Sequence, residues 1–190
     1  MTFRQILAQE FAPYAALTAD QLERLHEHFK LLRRWNAKLN LTRILDPVEA
    51  ARLHYCESLY LGLRLPRGPL RIADVGSGPG FPGLPVAVLR PDCQVTLIES
   101  HQRKAVFLRE ATRTLPNVRV VARRAEDLAR DPQESFDWVV ARAVAPREVL
   151  NLPLAANFAL LVGLEDARSL GGEPLPWGQG RFLAVVPRGT

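Results

Sequence analysis

The residues best suited to chemistry sit in one stretch, Asp74-Val-Gly-Ser-Gly-Pro-Gly-Phe-Pro-Gly-Leu-Pro85. Gly76, Gly78, Gly80 and Gly83 crowd a turn that follows the apolar run Leu70–Val75. Glycine lets the backbone take positive φ and lets a ligand reach the main chain with no Cβ in the way. An apolar strand, a glycine-rich turn and then a helix is how α/β folds hold a nucleotide-like ligand. Three other places carry matching chemistry: Glu99, 21 positions beyond Gly78; Arg124-Ala125-Glu126-Asp127; and Arg142.

Two ligand chemistries fit the turn. Gly78-Pro-Gly80-Phe-Pro-Gly83 satisfies the dinucleotide fingerprint, with Glu99 where a ribose-binding acid is expected. The other pattern, Asp74-Val-Gly76-Ser77-Gly78-Pro-Gly80, has an acid before the loop and resembles the first motif of S-adenosylmethionine-dependent methyltransferases. Glu99 serves both, since each ligand carries an adenosine ribose. Asp74 favours the second, because it can orient a cationic amino group, directly or through water, whereas a carboxylate beside a pyrophosphate is unfavourable. The Ala125 backbone and the Glu126 side chain suit the exocyclic amino group of adenine, although acids also collect at helix N-termini for electrostatic reasons.

The elements that must position these residues follow from periodicity. Leu22, Leu25, Phe29, Leu32, Trp35 and Leu39 recur at steps of three and four, one apolar helix face, with Thr18 and Gln21 as a reciprocal cap. Asp46-Pro47-Val48-Glu49 starts another helix, expected to run to about Leu63, and the whole of residues 1–65 reads as helical. From residue 70 the apolar runs Leu70–Val75, Gln94–Ile98, Val118–Ala122, Phe136–Ala141 and Phe158–Val162 are strand candidates, separated by helical stretches such as Ser100–Leu115. That alternation predicts an α/β, Rossmann-like fold with a mostly parallel sheet. Glu173–Trp177 and Arg181–Pro187 around Gly178-Gln-Gly180 predict an antiparallel closing hairpin. The expected organisation is a helical extension, 1–65, packed on a ligand-binding core, 66–190.

Composition narrows the class. No run approaches the roughly eighteen apolar residues of a membrane span, and the first residues carry no secretory pattern, so the expected compartment is the cytoplasm. Cys56 and Cys93 lack metal-ligand spacing, and no metal is expected. A net charge of +5, with 22 arginines against three lysines, suits a polyanionic partner. Arg33, Arg34 and Lys38 on the long helix and Arg123 and Arg124 at the sheet rim are the candidate contacts for such a partner. A solvated face explains any one of them equally well.

Four ordered stretches then carry a specific resemblance: Trp35-Asn36-Ala-Lys-Leu-Asn40-Leu41-Thr42, His54-Tyr-Cys-Glu57-Ser58-Leu59, Asp74–Pro85, and Phe136-Asp137-Trp-Val-Val-Ala-Arg142-Ala-Val-Ala145. Over about residues 35–146 the chain resembles the bacterial 16S ribosomal RNA guanine-N7 methyltransferases, the RsmG/GidB family. The resemblance implies S-adenosylmethionine as cofactor, bound by Gly76, Ser77, Gly78, Gly80, Phe81, Glu99, Ser100, Ala125, Glu126 and Arg142. It implies 16S RNA or the small ribosomal subunit as partner, a monomer, and methylation of N7 of one guanine. N7 carries an in-plane lone pair and no proton, so alignment suffices and no general base is needed. Arg142 is the expected positioning residue, toward either cofactor carboxylate or guanine. His54 and Cys56 read as packed residues, Trp35 as packing within the helical layer, and Asn36 and Asn40 as a brace for it. Glu57 stands where the family usually has Asp, and Val162-Gly163 where it tends to have Lys-Gly, which puts the C-terminal substrate contacts in question. A nicotinamide-dependent oxidoreductase and a non-catalytic ribosome-binding relative are the alternatives.

The two readings of the turn separate by calorimetry. S-adenosylmethionine binds and NAD does not on the methyltransferase reading, and the reverse result would discard it.

Overall fold

The computed structural model describes residues 1–187. The helical layer comprises α1 (Phe3–Phe11), α2 (Ala19–Leu39), α3 (Pro47–Ala50), a π-helical turn (Ala51–Cys56) and α4 (Glu57–Arg64). Thr18 and Gln21 close the predicted capping box of α2, with each backbone N–H donating to the other's side chain. Asp46 Oδ1 accepts from the N–H groups of Val48 and Glu49, starting α3 as its residue type predicts. The helix expected from Asp46 to Leu63 is therefore present in outline, but its middle widens into the π turn.

Alternating strands and helices follow: β1 (Arg71–Val75), α5 (Gly83–Leu89), β2 (Gln94–Ile98), α6 (Gln102–Ala111), β3 (Val118–Val121), α7 (Ala125–Leu128), β4 (Trp138–Arg142), α8 (Pro146–Leu150), β5 (Asn157–Gly163), α9 (Leu164–Leu170), β6 (Glu173–Pro174) and β7 (Arg181–Pro187). They form a seven-stranded sheet of order β3-β2-β1-β4-β5-β7-β6. The first five strands are parallel, and β7 runs antiparallel to both β5 and β6. The predicted hairpin is present, but β6 keeps only two residues. The chain from Glu165 to Gly180 first completes α9, which ends at Gly171 with φ +73°. Trp177, expected in the strand, instead packs with Phe11, Tyr14 and Tyr60 of the helical layer.

One apolar cluster joins the layers, running from Phe3, Leu25 and Leu32 through Leu84 and Phe107 to Leu161 and Leu183. Trp35 meets Phe107 edge-on at 5.8 Å, so it also packs α2 onto α6 of the sheet layer. A second cluster, including Val139, Val149 and Phe158, lies in α8 and the sheet strands.

Among the described glycines, Gly83 allows the tightest backbone approach. A Cβ there would lie 2.4 Å from Leu97 Cδ2, 2.6 Å from Asp74 Oδ2 and 2.7 Å from Asp74 Cβ. The start of α5 can thus touch β1 and β2 only without a side chain. Gly83→Ala is expected to destabilise the fold by about 1–3 kcal/mol through overpacking, read as a fall in the urea midpoint with an unchanged slope.

Candidate functional site

The glycine turn lies at the carboxyl edge of β1. Its geometry uses the conformational freedom that the sequence suggested: φ is +70° at Gly76, +53° at Gly78 and +103° at Gly80. The N–H groups of Gly76 and Ser77 both donate to Ile98 O, tying the turn to the end of β2. A Cβ on Gly78 would meet nothing closer than Gly76 O at 3.9 Å, so open space lies over Gly78. Ala143, directly after β4, also takes a left-handed φ of +58°. Such a residue is uncommon outside glycine and costs of order 1–3 kcal/mol. The segment it redirects lies over the turn, and a Cβ on Gly76 would come within 2.8 Å of Val144 Cγ2.

Two acids hold this turn from different sides. Glu99 is largely buried, and its carboxylate accepts from Gly78 N and His101 N, both at 2.8 Å. Each oxygen keeps an acceptor position for a ligand hydroxyl. Asp74 is fully buried, with Oδ2 accepting from Gly83 N at 2.9 Å and Oδ1 without a hydrogen-bond partner. The expectation that Asp74 orients a ligand amino group is corrected: its carboxylate lies beneath the turn, between β1 and α5. Ser77 is also fully buried, its hydroxyl donating to Asp74 O and its carbonyl accepting from Gly80 N and Phe81 N. Its hydroxyl and carbonyl both serve the turn.

Arg142 ends β4 at the same carboxyl edge, and the helical layer holds it. Its Nη1 donates to Leu53 O at 3.1 Å and to His54 Nδ1 at 2.8 Å. Because guanidinium only donates, His54 Nδ1 must accept, so Nε2 bears the proton and donates to Thr42 Oγ1 at 2.8 Å. Thr42 in turn is fixed by Asn36, whose Oδ1 accepts from Thr42 N at 2.8 Å. Phe81 is almost wholly buried, its ring stacked on His54 at 4.6 Å and lying 4.9 Å from the Arg142 guanidinium. Phe81 thus backs the arginine from inside.

Desolvation sets the charge states. It pushes the Arg142 pKa down to about 10 while the nearby Glu57 carboxylate holds it up, so the cation persists at neutral pH. Burial first, and the Arg142 cation next, push His54 down to about 2, keeping the imidazole neutral. A second buried histidine was not singled out in the sequence. His28 donates through Nε2 to Pro79 O of the turn and accepts at Nδ1 from the Tyr55 hydroxyl, both at 2.8 Å. Burial holds it down at about 4. Its only sequence signal is a polar residue on the apolar face of α2.

Of the remaining candidates, Ser100 follows Glu99 and is exposed, and Ala125 and Glu126 open α7 just beyond β3, with Ala125 buried and Glu126 exposed. Glu99, Ala125–Glu126, the turn and Arg142 therefore follow neighbouring strands on one edge. Arg123 and Arg124 are exposed on that edge. Arg33, Arg34 and Lys38 lie on α2 in the other layer, where Arg34 pairs with Glu110 at 2.9 Å and the Arg33 guanidinium lies over Phe29. Among the described residues, no cluster of three or more His, Cys, Asp or Glu side chains could hold a metal ion, and no helix is long and apolar enough to cross a membrane.

An open, mostly parallel sheet with one reversed strand and a glycine turn after β1 defines a protein of the Rossmann-like methyltransferase class. Its fold is similar to that of the fibrillarin/Nop5p complex, with a TM-score of 0.55, 14% identity, and 71% of this chain and 80% of that one covered. The C-terminal domain of precorrin-6Y C5,15-methyltransferase from Rhodobacter capsulatus gives 0.52 at 16% identity, over 70% and 88%. The chain belongs to the GidB family, rRNA small subunit methyltransferase G, whose model it matches over residues 21–156. Proteins called ribosomal RNA small subunit methyltransferase G are 45% identical in Roseiflexus castenholzii, over 70% of this chain and 60% of that protein, and 43% identical in Desulfitobacterium hafniense, over 70% and 57%. The chain thus spans about 60% of the length of these curated relatives.

The Asp74 site gives a pH dependence. Burial raises its pKa to about 7, partly offset by the Gly83 N–H, whereas an unfolded Asp ionises near ~4. Between these values the folded protein binds more protons than the unfolded one, so stability from this group falls as pH rises and levels off above about 7. Urea unfolding from pH 4 to 8 is expected to show the native chain losing stability relative to Asp74→Asn across that window. Parallel curves would mean that the carboxyl ionises normally.

Proposed function

We propose that this protein transfers the methyl group of S-adenosylmethionine to N7 of a guanine in 16S ribosomal RNA of the small subunit. The observation that carries the reading is the convergence of the glycine turn, Glu99 and Arg142 on one sheet edge, in a chain of the GidB family. The site fits the cofactor in three respects. Open space lies over Gly78, where a Cβ would otherwise stand. Glu99 retains acceptor capacity for a ribose, and a fixed cation stands beside the turn to meet a carboxylate or a base.

When bound, the cofactor supplies an electrophilic methyl carbon on a sulfonium. The chain's part is binding and alignment. Glu99 holds the turn and accepts ribose hydroxyls, the Glu126 carboxylate accepts from the adenine amino group while the Ala125 N–H donates to a ring nitrogen, and Arg142 orients the reacting groups. Phe81, itself braced by His54, Tyr55 and His28, keeps the arginine at a fixed height above the turn. No proton leaves N7 in the reaction, which is consistent with histidines held neutral in structural hydrogen bonds rather than poised as bases. Orientation alone can lower such a barrier by several kcal/mol, on the order of 7 or more in well-ordered cases.

Labelled cofactor incubated with small-subunit particles and with naked RNA, followed by mass mapping of the product, tests the activity. One methylated guanine is expected, and cofactor binding without transfer to either substrate would leave a non-catalytic relative. Arg142→Ala is expected to slow transfer on the order of 100-fold, the scale of a misplacement of about 1 Å, while circular dichroism shows a folded protein. Unchanged activity would remove Arg142 from the site.

A further inference from the structure

A cavity of about 340 Å³ opens beside Arg142, lined by His54, Glu57, Leu161, Arg181 and Phe182 among others. That volume lies within the roughly 300–1,000 Å³ of small-ligand sites. The cavity adjoins β5 and β7, on the far side of Arg142 from β1 and the glycine turn. Arg181 is the first residue of β7 and pairs with Gly163 at the end of β5. Its side chain is 34% exposed, whereas that of Glu57 is 0% exposed. Arg181 Nε and Nη2 both donate to the Glu57 carboxylate, the latter at 2.6 Å. This is a two-pronged grip that fixes the plane of the guanidinium.

The π turn joins the two arginines. Leu53 O accepts from Arg142 Nη1 at 3.1 Å and from Arg181 Nη2 at 3.4 Å. His54, one residue on, accepts from Arg142, and Glu57 begins the next helix. One widened turn therefore orients both cations, and such turns concentrate at functional sites. Arg181 Nη1 and Arg142 Nε and Nη2 have no acceptor among the described residues. At the cavity the two guanidinium groups face one carboxylate, that of Glu57. The cavity suits a ligand edge made of acceptors.

We propose that Arg181, oriented by Glu57, works with Arg142 to bind O6 of the target guanine, turned out of its stack into this cavity. The assignment rests on the guanine-N7 reading and deepens it. Guanine presents O6 and N7 as acceptors on one edge, whereas adenine places an amino donor at the O6 position. N7 must stay free to react, so O6 is the acceptor left for the arginines. The N–H groups that the two arginines leave free are all donors, so an adenine amino group set against them would meet donor with donor. Enzymes that act on a base take it out of the stack and read it with polar groups between apolar walls. Leu161, Leu175 and Phe182 supply such walls here.

Gly178 offers a gentle way to move Arg181. A Cβ at Gly178 would lie 2.6 Å from Arg181 Cδ and 3.0 Å from Leu53 Cδ2, and its φ is not left-handed. Gly178→Ala displaces the flexible arginine stem and leaves Glu57 in place.

The test compares small-subunit RNA carrying guanosine or 2-aminopurine at the methylated position, assembled into particles, in single-turnover transfer. 2-Aminopurine keeps N7 and lacks O6. The native protein is expected to slow about 5- to 150-fold with 2-aminopurine, the range for losing one good base contact. Arg181→Gln should lose a similar factor on guanosine RNA and little more on 2-aminopurine RNA. Gly178→Ala should fall between them, and both variants should keep native cofactor affinity by calorimetry. Equal native rates on the two RNAs overturn the assignment without any variant. So does an Arg181→Gln or Gly178→Ala protein that slows both RNAs by one factor, the signature of a phosphate contact or a purely structural role. No native transfer to guanosine RNA overturns the guanine-N7 reading and this assignment together, a result distinct from transfer without discrimination.

Discussion

The structure depends on one constraint: a cation stands at the end of a buried central strand and must be satisfied. Burying a charge is costly unless it is paired and hydrogen-bonded. Among the described residues, no side chain of the strands beside β4 hydrogen-bonds to Arg142. Its acceptors come from the other layer, as Leu53 O and His54 Nδ1. The helical layer is thus more than a cover for apolar surface. Asn36 fixes Thr42, Thr42 fixes the tautomer of His54, and His54 fixes Arg142. The Trp-Asn-x-x-x-Asn-Leu-Thr segment, far from the glycine turn in sequence, is the first link of that chain.

The glycine turn obeys a similar logic. Asp74 ties its exit to β1 through Gly83, Glu99 ties its middle to β2 and α6, and His28 ties Pro79 to α2 through an imidazole kept neutral by burial. Each anchor uses a different strand or helix, so the turn is held in place before any ligand arrives. Such pre-organisation is the main contribution a protein can make where the reacting atom needs no proton moved.

How far the sequence revealed this depended on range. Apolar runs placed the five parallel strands within a residue or two, and Thr18, Gln21 and Asp46 marked helix starts because caps are local. The turn, Glu99 and Arg142 were legible because their spacing along a βα alternation puts them on one edge. Glu57 and Arg181 were not, being 124 residues apart and joined only by the register of β5 with β7. The π turn also left no trace, since its apolar positions fit an ordinary helix. Asp74 shows the opposite error. Its residue type suits ligand binding, but burial commits its carboxyl group to the turn itself.

β7 follows β6 in the chain yet lies inside the sheet, between β5 and β6. Until it seats, β5 presents an open strand edge, β6 has no partner, and Glu57 holds a carboxylate in the interior without the two-pronged Arg181 partner that binds it. Open edges invite association with other chains, and pairing between residues distant in sequence forms slowly. A chain interrupted before residue 181 carries all three liabilities at once. The pairing that quiets them is the same pairing that delivers Arg181 to its cavity.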